Sequence, residues 1–354
     1  MLWPLLLSLG VLAVIGYLTY EPDAFRQALQ TLNPWWLAAA AGTVVLRVGF
    51  GAWRLHYVSH GRLDLAGGLR GQLAWDFFSN VTPSTIGGGP IAAAFLARDR
   101  RLPTGEAASI MLFAMLLDQL WFALSIPMLL VGGLYFEIIP RSLGAVGVWT
   151  FTAYFVFLMA WVLVFGYFTL FRPHLLERIV NGVFRLRLLR RSRARVAGVM
   201  QQLRHRARIL RAQRADFYVQ GFLLTLAAWV CRYLLVVFII WSVYPELDAV
   251  LAFLRTMALT LGSLIMPTPG GAGGLEGLYA LFLGPPLVPE ALVAPTLLAW
   301  RVLGYYVFIA LGAFLTMHEV QRSLRRTRRE RLADANGRAE HEPHAENETL
   351  ATRD

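Results

Sequence analysis

Long apolar runs recur along the whole chain, and they constrain its fold more than any other feature. A helix needs roughly 20 apolar residues to cross a bilayer, and six runs reach or approach that length. Only 16% of the residues are charged, against about 25% in soluble domains. The sequence therefore predicts an all-α integral membrane protein and excludes an ordinary water-soluble enzyme. The six predicted transmembrane helices are Trp3–Tyr20, Pro34–Trp53, Ala107–Leu134, Gly144–Leu170, Phe217–Tyr244 and Leu292–Met317.

Two further apolar stretches, Leu73–Ala97 and Ala249–Leu283, are interrupted by glycine and proline. Each is too broken for one continuous helix and too short for two complete spans. Backbone groups freed by such breaks are tolerated at membrane depth only where protein or a water-filled cavity satisfies them. We therefore predict two re-entrant helical hairpins, each entering and leaving the membrane on one side.

All 33 cationic residues are arginine, and the net charge is +11. Arginine-rich loops stay on the cytoplasmic side of a membrane. This rule places both termini in the cytoplasm, and it requires the first hairpin to enter from the cytoplasm and the second from the opposite side. The four segments that hold 27 of the arginines are 54–72, 98–104, 171–216 and 318–354.

The two largest of these segments have different predicted structures. Segment 171–216 carries apolar residues at helical spacing with arginine on the other faces. Such a basic amphipathic helix lies on an anionic inner leaflet, so its arginines do not require a nucleic acid as partner. Segment 318–354 becomes polar and acidic, which predicts a disordered cytoplasmic tail.

The sequence lacks the residues that several common chemistries need. Without lysine there is neither a P-loop lysine for a nucleotide nor a Schiff-base lysine. The single cysteine, Cys231, excludes an intrachain disulfide and a thiolate metal cluster. No H-E-x-x-H or G-x-S-x-G motif occurs. We therefore expect no catalytic residues, no metal and no cofactor.

The two broken stretches share the motif T-P-x-x-x-G-G, at residues 82–88 and 268–274. An arginine within an apolar run precedes each motif at nearly the same distance. Arg47 lies 35 residues before the first motif, and Arg232 lies 36 residues before the second. The matched spacing indicates an internal repeat rather than two unrelated glycine-rich turns.

A charged residue also follows each motif in the next apolar run, Asp118 after 36 residues and Arg301 after 33. We therefore divide the chain into two repeats, 1–140 and 141–317, which the arginine distribution makes inverted. Inverted repeats with broken helices place a transporter's substrate at the repeat interface. The alternative is that the glycine-rich breaks only relieve crowding between helices.

Each motif suits the tip of a hairpin. Proline ends a helix because it lacks an N–H donor, and glycine allows positive φ. The returning helix then presents free N–H groups and the positive end of its dipole, which favour an anion. The alternative is close packing of small residues. The tip residues of the predicted substrate site are Thr82, Pro83, Gly87, Gly88, Pro269, Gly270, Gly271, Gly273 and Gly274.

Charged residues at membrane depth complete the predicted site: Arg47, Asp118, Arg232, Glu276 and Arg301. An ionised group there costs about 2.5–3.5 kcal/mol, so it usually faces a partner or a cavity. We expect the three arginines to receive an anionic head group through paired hydrogen bonds, while the two carboxylates hold or release the arginines. The alternative is a structural ion pair, such as Glu276 with Arg301.

Three other charged residues are expected near the membrane boundaries. Asp76 and Glu106 fall close to the predicted cytoplasmic boundary, where they would be surface or capping groups. Arg255 is close enough to the outer face for its side chain to snorkel to water.

The blocks TPSTIGGGP–RRLPTGEA and MPTPGGAGGLEG–LLAWRVLGYY resemble the flippase-like family named for the transmembrane region of lysylphosphatidylglycerol synthase, over roughly residues 5–318. The first block departs from many members, because Gly89 and Ala92 stand where those members carry an acidic and a basic residue. The second block is the more specific of the two. Its matching residues are Glu276, Trp300, Arg301, Tyr305 and Tyr306.

The resemblance implies a membrane domain that moves or holds a lipid, with two re-entrant helices facing each other and Tyr305 among the site residues. Full synthases add a soluble aminoacyl-transfer domain at the C-terminus. This chain ends about 37 residues after its last predicted span, too few for a domain. We therefore expect the flippase-like part alone, without synthesis of a lysyl-lipid.

These features together predict a flippase or transporter in a bacterial cytoplasmic membrane, which moves an amphiphile with an anionic head group. Its partners would be membrane lipids. Without an ATP-binding motif, movement would be downhill or ion-coupled, with Glu276 or Asp118 as the proton site. One alternative is a non-transporting membrane protein that presents lipid to a separate glycosyltransferase or lipid synthase. The other is an integral-membrane enzyme.

Overall fold

The computed structural model describes residues 32–82, 88–100, 102–140, 143–170, 213–266 and 268–315, together with isolated positions before residue 32. A 3₁₀ turn, Ser263–Ile265, follows the helix that ends at Gly262, and a π-helical segment, Val302–Tyr306, extends the helix that ends at Arg301 to residue 315. The helices are α1 (Pro34–Val58), α2 (Leu65–Val81), α3 (Gly88–Asp99), α4 (Thr104–Gly132), α5 (Gly144–Leu170), α6 (Ala215–Trp241), α7 (Ala249–Gly262), α8 (Gly274–Leu283) and α9 (Glu290–Arg301).

Five segments of the described chain are long and apolar enough to cross a membrane: α1, α4, Gly144–Trp161 of α5, α6 and Glu290–Leu315. The corresponding helices begin and end within five residues of the predicted spans. Their outer faces carry exposed apolar side chains, such as Val45, Trp149 and Phe314 at 71%, 73% and 71% exposure. Such faces suit lipid rather than water, so the protein is a multi-pass helical membrane protein.

Three predicted parts of the chain lie wholly or mostly outside the described residues. Only isolated positions of the first span, Trp3–Tyr20, are described, and only residues 213–216 of the amphipathic segment 171–216. The tail 318–354 is also outside them. Their structures therefore stay predictions.

Helices α2 and α3 form the first hairpin, and ion pairs join the start of α2 to the end of α3. Arg100 contacts Asp64, the N-cap of α2, at 3.1 Å and Asp99, the last residue of α3, at 3.2 Å. Arg70 of α2 donates to Asp99 at 3.0 Å. The start of α2 and the end of α3 therefore lie together.

The first hairpin is longer than the sequence indicates. Helix α1 continues to Val58, and α2 begins at Leu65 instead of Leu73. The Asp64 carboxylate starts α2 early because it accepts the N–H of Gly67 at 2.8 Å. Most of the predicted cytoplasmic segment 54–72 is therefore helical, and residues 59–64 alone connect the two helices.

Helices α7 and α8 form the second hairpin, with the predicted outer bounds. Arg255 joins its ends, donating from α7 to the carbonyl of Phe282 in the last turn of α8 at 3.0 Å. The same guanidinium donates twice to the carbonyl of Glu137. The prediction that Arg255 snorkels to the surface is wrong, because its side chain is 2% exposed and neutralises the carbonyl end of a helix.

Helices α1 and α6 pack side by side and run antiparallel. The Asn33 N–H, before α1, donates to the carbonyl of Ser242, after α6, at 2.7 Å. At the other end, the rings of Tyr57 and Phe217 stack at 5.2 Å. The first hairpin follows the C-terminal end of α1 and the second follows that of α6. The two hairpins therefore start from opposite ends of this helix pair.

The described bundle contains two main apolar cores, which share α4. The N-terminal half of α4 packs with α1 and α3, while its C-terminal half packs with α5, α6, α7 and α8. Glycine allows the closest backbone approach in the first core, because a Cβ at Gly68 of α2 would collide with the Ala52 carbonyl oxygen of α1. The α1–α2 contact therefore requires glycine at this position.

We predict that Gly68→Ala lowers the thermal unfolding midpoint in detergent, since the two backbones must separate at a cost of about 1–3 kcal/mol. The control is Gly49→Ala in α1, where a new Cβ meets nothing within 4 Å. Helix propensity makes that change neutral or stabilising by up to about 1 kcal/mol. Equal midpoints for the two variants would contradict the packing argument.

Candidate functional site

A cavity of about 420 Å³ lies between the two halves of the bundle. Helices α1, α2, α4, α5 and α6 line it, together with the turn between α7 and α8. The last turn of α2 contributes Ser79 and Asn80, and the second motif contributes Thr268, Gly270 and Gly271. The last turn of α2 and the turn between α7 and α8 therefore meet at one cavity.

The second motif reaches the first hairpin through Gly270. This residue has a φ of +60°, and a Cβ on it would lie 3.1 Å from the Asn80 carbonyl and would collide with the Tyr305 ring. Gly271 and Gly273 also have positive φ, at +68° and +86°. Glycine is therefore needed here both for the turn and for the close approach of α2 and Tyr305.

The other described motif residues have packing and capping roles. Gly88 lies against Ser79 and Gly274 lies against Met266, in contacts that leave no room for a side chain. The Thr82 hydroxyl donates to the Phe78 carbonyl at 2.6 Å, at the end of α2. Pro83 and Gly87 lie outside the described residues.

Glu276 and Arg301 form a buried ion pair behind the second motif. Their side chains are 0% and 4% exposed, and Arg301 Nη2 lies 2.5 Å from Glu276 Oε2. Glu276 also accepts the Gly273 N–H at 2.8 Å, and Arg301 donates to the Gly270 carbonyl at 3.4 Å. This pair braces the turn and does not line the cavity, so its geometry is that of the structural ion pair.

Arg47 of α1 and Asp76 of α2 form a bidentate ion pair at the cavity wall. Both nitrogen–oxygen distances are 3.0 Å. Gln72 donates to the same carboxylate at 3.3 Å, and the Arg47 guanidinium lies 4.4 Å from the centre of the Phe308 ring. Asp76 is therefore not the surface or capping group that its sequence position suggested.

Arg54 of α1 and Asp118 of α4 form a second pair at the cavity wall, 2.6 Å apart. Arg54 also contacts the Thr225 hydroxyl at 3.3 Å, and the Trp229 indole N–H donates to Asp118 at 2.9 Å. The network links α1, α4 and α6. Arg54 is 4% exposed, so its side chain is buried among the helices rather than exposed in a connecting loop.

Arg232 of α6 is the remaining arginine of the cavity. It is partly buried, and its guanidinium lies 5.1 Å from the centre of the Trp229 ring. With the residues that the structure describes, it makes neither a side-chain hydrogen bond nor an ion pair. The positions that would match Asp76 in the second half are Leu261, 29 residues after Arg232, and Gly262, six before Thr268. Since neither position carries a carboxylate, the second half offers Arg232 no described counterpart of Asp76.

The structure brings some of the predicted site residues together and separates others. Those that line the cavity are Arg47, Asp118, Arg232, Gly270 and Gly271. Those that support it from behind or pack within a hairpin are Thr82, Gly88, Pro269, Gly273, Gly274, Glu276, Arg301 and Tyr305. Buried Tyr305 is 2% exposed and packs its ring against the second motif.

Sequence reasoning missed Arg54, Asp76 and Trp229 as cavity residues. One available signal was helical spacing, since Arg47, Gly51 and Arg54 lie at i, i+4 and i+7 on one face of α1. All three line the cavity. Nothing in the sequence pairs Asp76 with Arg47. The antiparallel packing of α1 and α2 brings the two side chains together.

We predict that Glu276→Gln destabilises the protein by about 3–5 kcal/mol, because Arg301 is left as an uncompensated buried charge. Glutamine still accepts the Gly273 N–H, so the change isolates the charge. Thermal unfolding in detergent measures the effect. The double variant Glu276→Gln with Arg301→Met should recover most of the loss, and an unaltered midpoint for Glu276→Gln alone would refute the pairing.

Comparisons with known proteins give one result. No curated protein and no solved structure matches the chain. The family model described as "Lysylphosphatidylglycerol synthase TM region" matches residues 1–312 of the 354. Because the match covers most of the chain, including every residue of the cavity, the protein belongs to the lysylphosphatidylglycerol synthase transmembrane-region family.

Proposed function

We propose that this protein binds the anionic head group of an amphiphile in the cavity and moves it across a bacterial cytoplasmic membrane. The observation that carries the proposal is Arg232, an arginine that lines the cavity without a hydrogen-bonding or ion-pairing partner among the described residues. The proposed role is transport, without chemical change of the lipid.

An unpaired guanidinium at this depth favours an anionic ligand. A charge in the centre of a membrane helix costs about 2.5–3.5 kcal/mol, and such residues mark substrate pathways. A guanidinium binds phosphate or carboxylate through two parallel hydrogen bonds. The Trp229 ring supports the guanidinium of Arg232, and a 420 Å³ cavity lies in the size range of small-ligand sites.

The surroundings of the cavity favour an amphiphile over a small water-soluble anion. Helix α5 contributes Tyr154, Phe157, Leu158 and Trp161 to the cavity, while most of its surface is exposed and apolar. An alkyl chain beside α5 would remain in the bilayer while its head group lies at Arg232. The family is named for the membrane part of a lipid synthase, which also supports a lipid as substrate.

The proposed membrane arrangement has six spans and two re-entrant hairpins in an inverted repeat. Opposite ends of the antiparallel α1–α6 pair carry the hairpins, and the last turn of α2 meets the turn between α7 and α8 beside the cavity, which supports this arrangement. Alternating access would open the cavity first to one leaflet and then to the other. Movement would be downhill or ion-coupled. Asp118 is the better-placed proton site, since it lines the cavity and Glu276 does not.

We predict that Arg232→Gln slows the movement of fluorescent phosphatidylglycerol between leaflets of proteoliposomes. A hydrogen bond to a charged group contributes about 1.5–3 kcal/mol, so head-group affinity should fall about 10- to 100-fold. The matched control is Arg98→Gln, which removes an exposed arginine of α3 outside the cavity. The control should move lipid at the wild-type rate.

Two results would count against the proposal in different ways. Equal rates for wild type and Arg232→Gln would remove Arg232 as the receptor of the head group. Lipid that binds to wild type in an Arg232-dependent manner but never changes leaflet would favour the non-transporting partner of a glycosyltransferase or lipid synthase.

We predict opposite labelling sides for the two hairpin bases. In a Cys231→Ser background, Arg62→Cys tests the base of the first hairpin and Glu246→Cys the base of the second, both at exposed positions. A membrane-impermeant maleimide should label residue 62 only from the cytoplasmic side and residue 246 only from the opposite side. Labelling of both from one side would overturn the inverted arrangement.

A further inference from the structure

The charges that line the cavity do not cancel. Among the described residues they are Arg47, Arg54, Asp76, Asp118 and Arg232, with a formal sum of +1. We infer that the cavity selects head groups with a single negative charge and rejects those with two. This inference rests on the proposed function. The ligand class is a phosphate diester or a carboxylate, rather than a phosphate monoester or a pyrophosphate.

Each of the two aspartates is bound to an arginine, so the described cavity lacks one negative charge for its third arginine. Asp76 is held by both terminal nitrogens of Arg47, and Asp118 is held by Arg54 and the Trp229 N–H. Each pair is therefore internally neutral. Of the described cavity residues, Arg232 alone has no carboxylate bound to it, and a ligand with one negative charge makes the cavity neutral.

A second negative charge on the ligand would have no counterpart. It would lie in the same cavity as the negative charges of Asp76 and Asp118, and an uncompensated charge in a partly buried site is disfavoured. A phosphate monoester carries about −1.5 to −2 at neutral pH, whereas a phosphate diester carries one charge. The two aspartates thus act as specificity-determining residues through the charge they add to the cavity.

Binding of two lipids to the purified full-length protein at pH 8 tests this inference. The probes are phosphatidylglycerol, with one negative charge, and phosphatidic acid, with close to two, in zwitterionic lipid nanodiscs. Wild type should prefer phosphatidylglycerol by about tenfold or more. Asp76→Asn raises the cavity charge to +2 and should reverse the preference, and Asp118→Asn should do the same at the second pair.

The double variant Arg47→Gln with Asp76→Asn returns the cavity charge to +1. It should recover the wild-type preference, which a purely structural role of the pair would not predict. It also keeps the test decisive where a single aspartate variant folds poorly. Arg98→Gln removes an exposed charge outside the cavity and should leave the preference unaltered.

The outcomes separate this inference from the proposed function. Arg232-dependent binding of both anionic lipids with equal affinity, unaltered in the aspartate variants, would overturn the inference and leave the proposed function standing. Binding no stronger than that of the zwitterionic lipid, for both probes, would overturn the proposed function itself.

Discussion

An arginine in apolar surroundings needs an electron-rich partner, and the described structure depends on this requirement. Arg47 joins α1 to α2 through Asp76, and Arg54 joins α1 to α4 through Asp118. Arg301 joins α9 to α8 through Glu276, and Arg255 joins α7 to α8 through a backbone carbonyl. Each contact links helices that apolar packing alone would leave free to slide. These polar contacts therefore fix defined pairs of positions between neighbouring helices.

Arg232 is the exception, because it lines the cavity without a hydrogen-bonding or ion-pairing partner among the described residues. Its counterpart in the first half, Arg47, is neutralised by a carboxylate on the next helix, whereas the second half has Leu261 and Gly262 at the matching positions. The second half carries its own carboxylate, Glu276, after the motif, where it compensates Arg301 instead. The described helices α1–α4 and α6–α9 thus differ in where they carry negative charge, and this difference leaves one cavity cation without a carboxylate partner among the described residues.

Much of the fold is predictable because its signals are local. The bounds of α5 and the outer bounds of the second hairpin agree with the predictions, and the other described spans differ by a few residues. The start of α2 is the main error, because the Asp64 cap acts earlier than the apolar pattern begins. The glycine-rich turn of the second motif borders a cavity. It also packs tightly, and the Glu276–Arg301 ion pair braces it.

The sequence by itself determined the helices, their break points and the membrane class, since apolar run length, proline and glycine act over a few residues. Tertiary structure alone decided which charges form pairs, and which cavity arginine has no carboxylate partner among the described residues. Arg47 lies 29 residues from Asp76, and Arg54 lies 64 residues from Asp118. Such partners are chosen by how the helices pack, because an ion pair forms only where the packed bundle brings two side chains within about 4 Å.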